Sequence, residues 1–417
     1  MATETLVLAI ATLIGLYMAW NIGANDVANA MGTSVGSGAL TLRAAIVVAA
    51  FFEFSGAMLV GGSVTQTISK GIVDVNAFGA NALGFAIAMT CCLLAAAIWL
   101  HIASFAGWPV STTHSIVGAV IGVACLSAGP SAVNWVKVSQ IVASWVISPL
   151  MGGAVGFLLF SIVRRQILAN DRPLAAMRRL GPFMIFPIFT VLALSMVFKG
   201  LAPLKLDLPF ERALPLSLGA GLLATLVSIP LLNRVATRGE ADSEVEPTRR
   251  IERVFLVLQV FTACLVAFAH GSNDVANAVG PLSAVYQSLR QGLDVVEPVS
   301  PGILLIGAIG IVVGLATYGY RVMGTVGKEI TELTPSRGFC AEFAASGTIL
   351  VASKLGLPVS TTHTLVGAVV GVGFARSIGA INLYVLRGIF ASWFITVPFT
   401  ALLAALLQIV VNALRGV

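Results

Sequence analysis

The residues able to do chemistry in this chain sit in two short polar motifs, each written twice. Gly23 to Ala30 reads GANDVANA, and Gly271 to Ala278 reads GSNDVANA, both within strongly apolar stretches. On a helix, Asn25 and Asn29 lie four apart and share a face, with Asp26 beside it; Asn273, Asp274 and Asn277 repeat this. Amides alone read as hydrogen bonds between helices. A carboxylate among them points further, because an ionised group at mid-membrane costs at least ~2.5 kcal/mol. Carboxylate and amide oxygens are hard ligands suited to Na⁺, so each motif is expected to hold a cation. Gly23 and Gly271, just ahead, predict a broken helix whose released carbonyls add ligands.

The second pair asks for the opposite charge. Pro109 to Val123 reads PVSTTHSIVGAVIGV and Pro358 to Val372 reads PVSTTHTLVGAVVGV, identical at twelve of fifteen positions. Ser111, Thr112 and Thr113, like Ser360, Thr361 and Thr362, follow a proline at the start of a helix. Unpaired N–H groups and hydroxyls there point the same way, at the positive end of the helix dipole. Such an end is an anion site, and two of them suit one small tetrahedral anion. His114 and His363 come next, and each is expected to hydrogen-bond to a neighbouring helix.

The elements that carry these motifs follow from composition. The 417 residues are 58% hydrophobic and 10% charged, with a mean hydropathy of +0.97, whereas soluble domains carry roughly 25% charged residues. The ~10-residue alternation of barrel strands is not visible. The reading is an all-α polytopic membrane protein with about 12 helical membrane segments, two inverted-topology repeats, each with a helical hairpin. Five apolar limbs recur in each half, and two more lie between them. The first limb is read as a retained helix, without the basic and cleavable features of a signal peptide. The expected division is 1–163, with its hairpin tip at 109–113; 164–253, two central helices with Arg-rich flanks; and 254–417, with its tip at 358–362. Arg164, Arg165, Arg172, Arg178 and Arg179 crowd one loop, and Arg234, Arg238, Arg249, Arg250 and Arg253 another. Both loops are expected to be cytoplasmic. A hairpin returns to its starting side, leaving three crossings per half. The odd count turns the second copy upside down, an arrangement of secondary transporters.

The remaining features are quieter. Cys91, Cys92, Cys125, Cys264 and Cys340 lack metal-ligand spacing and read as packing residues. The net charge of +6 reflects membrane orientation, not nucleic-acid binding. Residues 234–253 read as a solvated linker. Ser, His and Asp together raise an intramembrane hydrolase, but a nucleophile needs one base in reach, and duplication of every candidate suits two-fold ligation better. No enzyme is expected.

GANDVANA and GSNDVANAVGPL beside two PVSTTH hairpins resemble the inorganic phosphate transporter (PiT) family of sodium- or proton-coupled phosphate symporters, over about 330 residues. The resemblance implies phosphate held by Ser111, Thr112, Thr113, Ser360, Thr361 and Thr362, near Asp26 and Asp274. It implies sodium near Asn25, Asp26, Asn29, Asn273, Asp274 and Asn277. FFEFSG around Glu53 and GFCAEFAAS around Glu342 are similar to family motifs in which the acid matters, and Gln66 joins them as an accessory position. Two departures stand out: Glu53 aligns with Leu315 in the other half, and Gln66 with Lys328. The short central loop suggests a prokaryotic member. The expected function is sodium-coupled phosphate import by alternating access. The alternatives are proton-coupled phosphate or metal-phosphate symport, or a sulfate permease of the same fold. No cofactor is expected beyond sodium as coupling ion. The expected partners are inorganic phosphate, Na⁺ and the lipid bilayer, with a homodimer left open. The expected location is the plasma membrane, multi-pass, with central loops cytoplasmic and both termini outside.

Overall fold

The structure is a computed structural model describing residues 2–78, 81–108, 110–198, 208–241, 247–293, 297–320, 333–377 and 383–416. These residues form twelve long helices: α1 (Ala2–Gly36), α2 (Leu42–Val60), α3 (Ala82–Phe105), α4 (Thr112–Ala128), α5 (Trp135–Val163) and α6 (Pro173–Val197), then α7 (Phe210–Ala241), α8 (Pro247–Arg290), α9 (Pro301–Thr317), α10 (Pro335–Lys354), α11 (Thr361–Arg376) and α12 (Leu383–Arg415). A five-residue helix, Gly62–Gln66, follows α2. Among the described residues, eight helices are long and apolar enough to cross a membrane, and α4 and α9 are shorter apolar helices. Outward faces carry large apolar side chains, such as Phe51, Leu150 and Phe394, as lipid as solvent permits. The centre belongs to α3 and α8, which are largely buried.

Three expectations need correction. The helices bearing the ND motifs are not broken: α1 runs through GANDVANA and α8 through GSNDVANA without interruption. The glycines serve contact instead. A Cβ on Gly23 would land on the Ile311 carbonyl oxygen, and one on Gly271 on the Glu53 carbonyl oxygen. Their absence lets α1 touch α9 and α8 touch α2 backbone to backbone, which small residues allow in a membrane. The linker at 234–253 is largely helix, because α7 continues to Ala241 and α8 begins at Pro247, so the expected boundary at 253 falls inside α8. Proline at the first helical turn leaves no donor wanting, which suits Pro247 as a start. The counterpart of Glu53 is Ile311, not Leu315. Gly56 packs on the Phe268 carbonyl as Gly314 packs on the Trp20 carbonyl, which sets FSG against VVG. Lys328 lies outside the described residues.

Each half packs on the other. α1 lies on α9, and α8 on α2; α4 takes α12, and α11 takes α5. The motif glycines explain the second exchange. A side chain on Gly118 or Gly122 would strike the backbone of Val397 or Ala401 in α12. One on Gly367 or Gly371 would strike Pro149 or Gly153 in α5. The repeated VGAVxGV segment is therefore a docking face that sets each hairpin tip at a fixed depth. α3 packs on α4 and α10 on α11, the two hairpins that the spacing of the PVSTT segments predicts.

Candidate functional site

Both tips are built the same way. Ser111 (φ −89°, ψ 120°) and Ser360 (φ −83°, ψ 113°) are extended residues capping α4 and α11. Their hydroxyls accept from His114 N and His363 N, each at 3.2 Å. The tips meet: Thr113 Oγ donates to the Val359 carbonyl at 3.0 Å. All six residues, Ser111, Thr112, Thr113, Ser360, Thr361 and Thr362, are buried. Two positive helix ends thus converge in a region walled off from solvent, where their partial charges act at low dielectric.

The ND motifs reach across to these tips. From α1, Asn29 Nδ2 donates to Asp26 Oδ1 at 2.9 Å and to Thr362 Oγ at 2.7 Å. From α8, Asn277 Nδ2 donates to Asp274 Oδ1 at 2.9 Å and to the hydroxyls of Thr112 and Thr113 at 3.2 and 3.3 Å. Thr112 Oγ in turn donates to Asp274 Oδ1 at 3.2 Å. Asn273 Nδ2 donates to the Val359 carbonyl at 2.8 Å. Asn25 departs from the pattern, since its amide donates to Ser104 Oγ on α3 at 2.7 Å. After these bonds, four buried acceptor oxygens receive no hydrogen bond: Asp26 Oδ2, Asp274 Oδ2, Asn273 Oδ1 and Asn277 Oδ1. A buried acceptor left so costs about 1–3 kcal/mol. Carboxylate and amide oxygens left without hydrogen bonds are ligands suited to a hard cation.

His270, which sequence reasoning missed, stands between both aspartates. Its Nε2 lies 3.2 Å from Asp274 Oδ2 and 3.8 Å from Asp26 Oδ2, and its Nδ1 lies 3.2 Å from Glu53 Oε2. Asp26, His270 and Asp274 present ligand atoms within 4.8 Å of one another, all buried. Glu53 therefore belongs to this cluster. The available signal was position: His270 directly precedes GSNDVANA in an apolar run. Its counterpart in the first motif is Ile22.

The other accessory acids separate. Glu342, buried on α10, accepts from Thr33, Ser34 and Thr262 at 2.6 Å each and from Gln259 at 2.9 Å. Its partners on α1 stand about one helical turn beyond Asn29. Gln66 is exposed at the end of Gly62–Gln66, outside both clusters. The expected hydrogen bonds of His114 and His363 give way to ring packing. His114 lies 3.7 Å from Trp145 and 4.4 Å from His363, whose ring lies 3.4 Å from Trp393, centroid to centroid. Apolar α5 and α12 offer flat rings there instead of acceptors. All five cysteines are free thiols.

The chain resembles known proteins over nearly its whole length. A family model described as the phosphate transporter family matches residues 22–404. A Haemophilus influenzae protein named as a phosphate permease is 43% identical over 412 residues, covering 97% of this chain and 96% of that one. Inorganic phosphate transporter 2-1, chloroplastic, of Arabidopsis thaliana is 44% identical over 428 residues, covering 97% and 72%. A solved structure titled the sodium-dependent phosphate transporter superposes with a TM-score of 0.90 at 39% identity, covering 98% of this chain and 99% of that one.

Proposed function

This chain belongs to the phosphate transporter family, and from that premise we propose that it imports inorganic phosphate by sodium-coupled alternating access. The four donorless oxygens of Asp26, Asp274, Asn273 and Asn277 carry this reading. They sit beside the tips where the anion would bind, and a polyanion next to two carboxylates is repulsive unless a cation lies between. At 4 Å two unit charges repel by roughly 4 kcal/mol at an effective dielectric near 20. Sodium bound there removes that repulsion, so each ion raises the affinity for the other by the same factor. The hydroxyls of Thr112, Thr113, Thr361 and Thr362 and the N–H groups of α4 and α11 hold the phosphate, once Thr112 and Thr113 turn their protons away from Asp274 and the Val359 carbonyl. Ser111 and Ser360 fix the two helix starts and keep their own protons for the ligand.

The exchanged packing supports two inverted repeats; we place the chain in the plasma membrane with the Arg-rich ends of α5–α8 cytoplasmic, from their Arg excess, and both termini outside. A second reading, proton coupling, has one observation in its favour: an imidazole among three carboxylates is itself a proton-binding group. Labelled phosphate uptake into proteoliposomes decides between them. Uptake should follow an inward sodium gradient at constant pH. Uptake that ignores sodium and follows an inward proton gradient would overturn the sodium assignment.

A further inference from the structure

A cavity of about 780 Å³ lies between α5, α11 and α12. The four-ring ladder Trp145–His114–His363–Trp393 forms one end of its wall, and Phe157, Phe374 and Leu386 line it further on. Apart from the two imidazoles, the lining named here is apolar. It is not closed: Leu150 and Phe394, both in the lining, are 67% and 81% exposed. In a multi-pass membrane protein that opening faces lipid. From His363 to Phe374 the wall follows eleven residues of α11, about 16 Å at 1.5 Å per residue. That is close to half of a ~30 Å hydrocarbon core, the reach of one leaflet.

The far end of the groove is basic. Arg164 Nη1 donates to the carbonyls of Ala375 and Arg376 at 2.8 and 3.3 Å, next to Phe374. Arg165 and Arg376 adjoin it in sequence or contact, and Arg387 follows Leu386 of the lining. All four arginines are exposed. No acid competes from these elements, because residues 75–170 and 343–417 contain neither Asp nor Glu. An apolar slot one leaflet long with a cationic mouth matches a lipid whose headgroup is an anion. A free phosphate ion would use the mouth and leave the slot empty.

We propose that this groove binds one anionic phospholipid, its phosphate on Arg164, Arg165, Arg376 and Arg387 and one acyl chain laid along α11 to the ring ladder. The chain end then abuts His114 and His363, the residues directly after Ser111–Thr113 and Ser360–Thr362. Lipid braces both hairpin tips from behind.

Trp145 and Trp393 report on the chain end, so the test uses fluorescence of the full-length purified protein with chain-brominated lipids. Brominated phosphatidylglycerol should quench at a mole fraction at least about tenfold lower than brominated phosphatidylcholine, because its net anionic headgroup is attracted to basic side chains at the membrane surface. Trp145→Phe with Trp393→Phe should remove that difference. Arg165→Gln with Arg387→Gln should abolish the preference for phosphatidylglycerol, and Ala154→Phe, a lining position, should block quenching by both lipids. Equal quenching of the unmodified protein by the two lipids would overturn the proposal. So would quenching by neither, as when a second copy fills the groove, or displacement of phosphatidylglycerol by inorganic phosphate, which would assign the arginines to the free ion.

Discussion

Replacing Gly271 by alanine tests whether the motif glycine exists for contact. A methyl group there would land on the Glu53 carbonyl oxygen and stand 2.7 Å from both the carbonyl carbon and the α-carbon of Glu53. Carbon atoms in contact rest at about 3.5–4.0 Å, so α2 and α8 must part by roughly 0.8 Å. The Glu53–His270 ion-pair contact, now 3.2 Å, then opens to about 4 Å, the edge of ion-pair range. Overpacking of this kind costs about 1–3 kcal/mol. Gly271→Ala should therefore lower the apparent melting temperature of purified protein and reduce phosphate uptake in proteoliposomes. Gly62→Ala is the control, since nothing lies within 4 Å of a Cβ at Gly62, and it should leave both readouts unchanged. If Gly271→Ala melts and transports like the unmodified protein, the backbone contact is not why glycine stands there, and the unbroken α8 loses its explanation.

Three further outcomes are expected. Thr112→Val combined with Thr361→Val keeps volume and removes one hydroxyl per tip; at about 1.5–3 kcal/mol for a hydrogen bond to a charged group, half-saturation for phosphate should rise roughly tenfold or more. Asp274→Asn keeps the oxygen that accepts from Asn277 and Thr112 but removes the charge, so the sodium concentration for half-maximal uptake should rise roughly tenfold or more while phosphate still binds at saturating sodium. Glu342→Gln retains an acceptor for Thr33, Ser34 and Gln259 but loses the charge-assisted bond from Thr262, and thermal denaturation should register a loss of about 1.5–3 kcal/mol.

Much of the fold was legible because lipid imposes its own spelling. Apolar limbs of spanning length separated by polar turns can be little else, and α3, α4, α9 and α11 begin and end within a few residues of their apolar runs. The motif doublets were legible for the same reason: polar residues are conspicuous in so apolar a chain. What stayed hidden was contact. A glycine that hinges and a glycine that admits another backbone look alike in sequence, and Gly23 and Gly271 prove to be the second kind. His270 gains meaning only from Glu53, far away on α2. The Glu342 cluster draws Thr33 and Ser34 from α1 and Gln259 and Thr262 from α8, so no local pattern announces it. The ring ladder joins α4, α5, α11 and α12, four elements that only the folded bundle brings side by side.

The pairing of His270 with Glu53 has a consequence for direction. In the proposed inverted arrangement, exchanging the halves converts an outward-facing carrier into an inward-facing one, and identical halves would make the two forms equal in energy. The halves are not identical at this point: where one has His270 and Glu53, the other has Ile22 and Ile311, both wholly buried. One half meets its partner through ionisable groups whose attraction changes with the water around them, the other through hydrocarbon that is indifferent to it. On the proposed mechanism the empty carrier would therefore have a preferred side on which to wait. That preference, set by two residues facing two isoleucines, would decide from which compartment phosphate is first seen.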